Sequence, residues 1–173
     1  QVEFNPAMIK GYRLIGYENR TMAAEDFSDD TKDGGELGAG HQVTALYEII
    51  PAGSDYPIPE VESRYDTLNG TDETEKLSAE KLNNEWLTVN IRYKEPDGDT
   101  SMLLEYPVEN SAVREEMSDN MSWAAGVAQT AMLLKDSEYK GTSSYKDIKD
   151  RLKDIAGDDY KEEFVYLLGR LGR

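Results

Sequence analysis

Cysteine is absent from this chain of 173 residues, and histidine occurs once, at position 41. The chain therefore has no disulfide framework, no thiolate zinc site and no cysteine nucleophile. No apolar run approaches the roughly 18–20 residues that span a bilayer. Basic residues are also few, with 19 against 35 acidic ones and a net charge of −16. Because nucleic acid and anionic lipid surfaces would repel such a chain, we expect neither a nucleic-acid partner nor direct membrane insertion by this fragment.

The chain nevertheless has enough apolar material for a folded core. Hydrophobic residues make up 38% of it, and 11 tyrosines, 3 phenylalanines and 2 tryptophans are spread along its length. Its first residues, "QVEFNP", lack an initiator methionine and already alternate like a strand. We therefore expect a fragment of a longer protein that forms one domain overall. Its predicted parts are a β-rich module over residues 1–110, with a long insertion near 53–85, and a helical part over residues 111–173 packed on or beside it.

Strand patterns fill the first half of the sequence. The segments "GYRLIGYE" and "HQVTALYEII" predict two strands, and Pro51 ends the second. The clearest unit is a hairpin of "WLTVNIRYK" and "MLLEYPV" joined by the turn "EPDGDT". Because one face of the hairpin is polar and the other apolar, we predict an antiparallel sheet that packs on its apolar side and exposes its polar side to solvent. The apolar face of this hairpin consists of Leu87, Val89, Ile91, Tyr93, Met102, Leu104, Tyr106 and Val108.

The second half has helical patterns. Ser118, Asp119 and Asn120 are capping candidates before "MSWAAGVAQTAMLL", and Ser144 with Asp147 forms a capping box. In the helix that follows this box, the apolar stripe is Tyr145, Ile148, Leu152 and Ile155; the last helix places Tyr160, Phe164, Leu167, Leu168 and Leu171 on one side. Strands followed by about three helices predict the α+β class: an antiparallel sheet or partial β-sandwich, then packed helices. A further short helix is possible near residues 73–82.

The histidine follows a glycine-rich run, "GGELGAGH". The glycine spacing fits neither nucleotide-binding signature, and a strand rather than a helix is predicted to follow, so no phosphate cradle is indicated. In the strand pattern His41 shares a face with Val43 and Ala45. We favour a packed or hydrogen-bonded structural histidine over a catalytic one, which would need a serine and a carboxylate whose positions the sequence does not indicate. No catalytic residue and no cofactor are predicted.

Two polar segments are candidate binding sites. The first is the acidic loop, residues 25–36, which has six acidic residues against Lys32 alone. Oxygen-rich loops bind calcium, but the spacing of these acids does not form an EF-hand loop, so a solvated, helix-capping or hinge loop is the favoured alternative. The turn "GYENR" places four polar or aromatic side chains at a strand end, where they could grip a ligand or partner; an internal pair between Glu18 and Arg20 explains them equally well. The weak metal candidates are Asp29, Asp30, Asp33 and Glu36, and the binding candidates are Tyr17, Glu18, Asn19, Arg20 and His41.

Three segments carry a family resemblance. They are "VEFNPAMIKGYRLIGYENR", "EDFSDDTKDGGELGAGHQVTALYEIIP" and "LTVNIRYKEPDGD", with "AAGVAQTAMLLKDSEYKGTSSY" near the end. They resemble the C-terminal region of a bacterial family of von Willebrand factor type A (VWA) proteins, in which an N-terminal segment and a VWA domain precede this region. The D-x-S-x-S motif of metal-dependent adhesion is absent from the chain, so no adhesion-site residue carries over.

The resemblance implies a protein of the cell envelope, in the periplasm or at the surface, with a lipid anchor at the missing N-terminus as one possibility. It supplies no activity. We therefore expect a non-catalytic structural or interaction module whose partners are its own VWA domain and N-terminal segment, or another protein. A calcium-, glycan- or peptide-binding module is the alternative. By analogy with VWA domains inserted into β-sandwiches, we also expect strands to be missing here and a sheet edge to be exposed.

Overall fold

The structure, a computed structural model, describes residues 1–32, 34–58 and 83–172, apart from the Glu18 side chain. Most of the predicted insertion, the predicted helix near 73–82, and Asp33 lie outside these residues. The chain divides into two compact units, Gln1–Val113 and Arg114–Arg173. No helix within the described ranges is both long and apolar enough to cross a bilayer.

The first unit contains five strands in two antiparallel sheets. The strands are β1 (Val2–Phe4), β2 (Ile9–Ile15), β3 (Leu46–Pro51), β4 (Glu85–Tyr93) and β5 (Met102–Glu109). One sheet has the order β1-β4-β5, and the other pairs β2 with β3. Strands in this unit and helices in the next confirm the α+β class.

The predicted hairpin is β4 and β5. Tyr93 lies opposite Met102, and Ile91 lies opposite Leu104, so the predicted apolar residues of the two strands are in phase. Directly opposed residues in an antiparallel pair share a face, which gives the hairpin one apolar and one polar side. The register shifts once, between Glu85 and Leu87.

The second predicted strand is shorter than its alternating pattern. It begins at Leu46 rather than at His41, and residues 41–45 are not in a strand. Leu46 lies opposite Ile15, the last residue of β2. Beyond Ile15 the chain turns away through Gly16 and Tyr17, whose φ angles are 75° and 61°. No β2 residue is left to pair with residues 41–45, so the predicted face shared by His41, Val43 and Ala45 does not form.

Aromatic rings join the two sheets of the first unit. The Phe4 ring stacks on Tyr12 with 3.9 Å between centroids, and it meets Tyr47 edge-on at 5.3 Å. Asn5 fixes the turn between β1 and β2, because its side-chain amide donates to the Glu85 carbonyl at 2.6 Å. Ile9, only 4% exposed, lies at the start of β2.

The second unit contains the three predicted helices. They are α1 (Asp119–Leu134), α2 (Tyr145–Leu152) and α3 (Asp159–Leu171). Their first turns are capped by the side chains of Ser118, Ser144 and Asp158, each accepting a backbone N–H three residues on. The predicted caps at Ser118 and Ser144 are therefore confirmed. The capping box at Ser144 forms in part, because the Asp147 carboxylate accepts the Ser144 hydroxyl and not its backbone N–H.

A small apolar core holds these helices together. Its buried members are Trp123 of α1, Ile148 and Leu152 of α2, and Leu168 of α3. The predicted α2 stripe is confirmed at Ile148 and Leu152, which are 1% and 0% exposed. The predicted α3 stripe is confirmed at Leu168 and Phe164 but is wrong at Tyr160, which is 85% exposed, and at Leu167 and Leu171, which are 47% and 46% exposed. Tyr160 lies in the first turn of α3, and its ring extends into solvent instead of joining the core.

Candidate functional site

The turn after β2 brings two of the predicted binding residues to one groove. Gly16 and Tyr17 both adopt left-handed backbone angles, which is unusual for a tyrosine. A short 3₁₀ turn, Glu18–Arg20, follows, and the Arg20 N–H donates to the Tyr17 carbonyl at 2.8 Å. Tyr17 and Arg20 line the groove, whereas the exposed Asn19 does not. The Glu18 side chain lies outside the described part of the structure.

The groove, called here the Tyr17–Arg20 groove, has a cavity volume of about 400 Å³. This volume is within the range of small-ligand and peptide-side-chain sites. Its walls are mainly apolar, and Arg20 has the one charged side chain among the described lining residues. Sequence reasoning missed the aromatic walls Phe27 and Tyr47, which come from the acidic loop and from β3. The lining residues that bear on its chemistry are Leu14, Tyr17, Arg20, Met22, Phe27 and Tyr47.

The acidic loop is fastened to the β4–β5 hairpin. Asp30 accepts the Ser101 N–H at 3.3 Å, and its carbonyl accepts the Lys94 ammonium at 2.6 Å. The Arg92 guanidinium lies 5.7 Å from the centre of the Phe27 ring and donates to the Ser101 hydroxyl at 2.9 Å. These contacts place the loop against the polar face of the hairpin. Asn90, on the same face and only 8% exposed, has a different neighbour: its side-chain amide donates to Gln1 Oε1 at 3.3 Å.

The predicted metal candidates in this loop have internal partners. Asp29 accepts the Thr31 hydroxyl at 2.7 Å and the Thr31 N–H at 2.9 Å, and these bonds lower the pKa of Asp29. Hydrogen bonds from the side chain and backbone of Ser101 lower the pKa of Asp30. Glu36 is exposed. Within the described residues, no three His, Cys, Asp or Glu side chains are grouped as a metal site. Asp29 and Asp30 thus have a structural role in holding the loop.

His41 is exposed and lies in a turn, with its N–H donating to the Gly38 carbonyl at 3.1 Å. The preceding Gly40 has a φ of 77°, so the glycine run makes a turn before His41. The exposure contradicts the interpretation of His41 as a histidine packed on the β3 face. The imidazole has no hydrogen-bond partner among the side chains of the described ranges. A catalytic role would require a serine or carboxylate within about 3 Å of it.

A second candidate surface is the apolar side of the hairpin nearest its turn. Five large side chains there are exposed by 38–52%, although alternation predicts that they lie on the dry face. They belong to paired positions on β4 and β5 and therefore form one continuous patch. We call this patch the open face. It consists of Ile91, Tyr93, Met102, Leu104 and Tyr106.

The first unit thus carries an apolar groove and an open sheet face within a chain of the α+β class. Over residues 1–172 the sequence matches the family model described as "Uncharacterized protein YfbK, C-terminal". It is 35% identical over 172 residues to "Uncharacterized protein YfbK" of Escherichia coli (strain K12), a match that covers 97% of this chain. The chain therefore belongs to the family of YfbK C-terminal regions.

The chain spans 28% of the length of that relative. It thus corresponds to the C-terminal region of a larger protein, as the sequence resemblance predicts. No solved structure matches the chain.

Proposed function

We propose that this chain is a non-catalytic interaction module that follows a VWA domain in a cell-envelope protein. Its membership of a C-terminal family and its coverage of 28% of a relative support the role of one module within a larger protein. The VWA domain and the envelope location rest on the resemblance of the N-terminal and glycine-rich segments. The non-catalytic role rests on the sequence, in which no motif indicates a catalytic residue.

The observation that carries this proposal is the open face. Tyr106 is 52% exposed and Ile91 is 45% exposed. The acidic loop contacts the hairpin at Lys94, Ser101 and Arg92 and does not cover these two side chains. A contiguous patch of large apolar side chains is costly to leave in water, at about 25 cal/mol for each Å² of apolar surface. Patches of this kind usually mark interaction surfaces.

Hydrogen exchange tests the proposed interaction. Amide exchange is compared between this chain alone and the natural full-length protein, and peptides within residues 1–113 are expected to exchange more slowly in the full-length protein. Peptides from α1 to α3 are followed in the same experiment as an internal reference. Equal exchange throughout residues 1–113 would contradict an interaction module.

Fractionation of host cells tests the envelope location, and a D-x-S-x-S motif in the preceding sequence tests the VWA assignment.

A second candidate function, peptide binding, is favoured by the Tyr17–Arg20 groove. Arg20 places a permanently protonated guanidinium at an apolar groove, in a chain whose net charge is −16. Arginine pairs with carboxylates through two parallel hydrogen bonds. A short apolar peptide with a free C-terminal carboxylate suits such a groove.

We expect a tripeptide such as acetyl-Leu-Val-Leu to bind more tightly as the free acid than as the amide. Isothermal titration measures the difference, and Arg20→Gln is expected to abolish it. Lys32→Gln is the matched control because Lys32 pairs with Asp26 instead of lining the groove. Equal binding of the acid and the amide would exclude carboxylate capture by Arg20.

A further inference from the structure

We propose that the open face packs against another part of the same larger polypeptide, through an apolar patch bordered by lysine or arginine. This inference rests on the proposed function and names the surface and the chemistry of the partner. Its starting point is the spatial order of the open face. Ile91 pairs with Leu104 and Tyr93 pairs with Met102, so the exposed apolar side chains form adjacent rungs near the hairpin turn.

Among the described strands the outer edge of β5 is unpaired. This edge is poorly suited to take an added strand, so a partner at β5 is expected to contact its face. Asn90 exchanges two backbone hydrogen bonds with Gln1, at 2.8 and 2.9 Å, so its polar groups point toward β1. Backbone groups alternate in direction along a strand, so the N–H and C=O of Thr88, two residues earlier, also point toward β1. Pro107 lies opposite Thr88, and its ring nitrogen therefore points to the free edge. A proline at this position removes a donor that an added strand would need.

The charges around the open face favour a basic partner. The hairpin turn carries Glu95, Asp97 and Asp99, all of them exposed. The nearby cations are engaged elsewhere, since Lys94 donates to the Asp30 carbonyl and Arg92 lies over Phe27. A second copy of this chain would bring the same acidic turn to the contact, and like charges in apposition cost several kcal/mol at an interface. Lysine or arginine at the border of the partner patch would pair with these carboxylates instead.

The size of the family relative favours a partner within the same polypeptide. The chain corresponds to 28% of that protein, so most of the relative's length lies outside it. A tethered segment meets the open face at a high effective concentration and needs little intrinsic affinity. A partner of this kind also explains how a soluble, highly charged module can retain five large apolar side chains on one face.

Hydroxyl-radical footprinting of Tyr93, Met102 and Tyr106 tests this inference. Oxidation of these side chains is expected to be several-fold slower in the natural full-length protein than in this chain alone. Tyr160, which is 85% exposed and lies in the other unit, is the reference side chain. In the full-length protein, the double variant Glu95→Lys, Asp99→Lys is expected to restore fast oxidation. The control Glu105→Lys, Glu109→Lys changes the net charge equally but leaves the turn acidic, so protection should persist.

Several results would overturn the inference. Protection that rises with the concentration of this chain would mean a second copy, and concentration-independent protection in this chain alone would mean cover from its own residues. If oxidation stays slow in the Glu95→Lys, Asp99→Lys variant of the full-length protein, the partner patch has no border of lysine or arginine. If that variant fails to fold, the single change Asp99→Lys gives the same comparison. If oxidation is equal in both proteins while hydrogen exchange still slows in residues 1–113, the inference fails and the proposed function stands; if neither changes, both fail.

Discussion

Single residues set the ends of the helices, and these were readable from the sequence. Ser144 accepts the Asp147 N–H at 3.2 Å and donates to the Asp147 carboxylate at 2.6 Å. Such a bond spans three residues and depends on nothing distant, so local pattern suffices to find it. Tyr160 and His41 depend on what lies around them in space, and for both residues the sequence prediction of packing was wrong.

Removing the Ser144 cap should weaken the helical unit. We expect Ser144→Ala to lower the free energy of unfolding by about 1 kcal/mol, since an orphaned helix N–H loses its acceptor. Thermal unfolding of the whole chain measures the change. Thr142→Ala, an exposed residue two positions earlier, is the matched control and should have little effect. Equal losses for the two variants would show that the capping bond does not contribute.

The cap at Asp158 makes the stability of the second unit depend on pH. The Lys161 N–H, which donates to Asp158 at 3.0 Å, lowers the pKa of this carboxyl below 3.8. Because the pKa of Asp158 is lower in the folded protein than in the unfolded one, its ionised form stabilises the fold at pH values above the unfolded-state pKa. This contribution is lost as the pH falls through the folded-state pKa. We expect the unfolding midpoint of the second unit to fall less steeply in Asp158→Asn than in the wild type between about pH 5 and pH 2. Parallel pH curves would contradict this role.

At the scale of elements, pairing and close packing decide what the local pattern leaves open. The β4–β5 register was predictable because both strands alternate in phase around one turn. The first residue of β3 was not predictable from the sequence, because it depends on where β2 ends and the chain turns away at Gly16. Helix packing adds a constraint at Gly126 of α1, where a Cβ atom would lie 2.7 Å from Leu152 Cδ1. The position of this close contact depends on how α1 and α2 meet in space, so local pattern alone does not give it.

Glycine-to-alanine substitutions at two helix positions should therefore have opposite effects. Gly126→Ala is expected to destabilise the second unit by about 1–3 kcal/mol through overpacking against the fully buried Leu152. Gly169→Ala in α3 faces the movable end of Lys149, with Nζ at 3.1 Å, so it should stabilise by about 0.5–1 kcal/mol through helix propensity. Thermal or denaturant unfolding distinguishes the two. Stabilisation by both variants would show that α1 and α2 have room to separate.

At the scale of the whole molecule, the sequence predicted the fold class and the apolar face of the hairpin but not its cover. Alternation places Tyr106 and Ile91 on one side of the sheet, and such a pattern normally means that this side is buried. In the described part of the chain that side stays open near the turn, while the acidic loop contacts the hairpin at Lys94, Ser101 and Arg92. The Tyr17–Arg20 groove was half predictable: Tyr17 and Arg20 were chosen from the turn, whereas Phe27 and Tyr47 come from segments that meet only in the fold.

The central claim is that the open face is covered in the larger protein, and Tyr106→Thr tests it most directly. Threonine keeps the strand propensity but removes the ring. The free energy of opening of β5 is measured by amide hydrogen exchange in this chain and in the full-length protein. We expect a loss of no more than about 0.5 kcal/mol in this chain, as for an exposed side chain, and of at least about 2 kcal/mol in the full-length protein, as for an interface anchor. Equal losses in the two proteins would contradict the account.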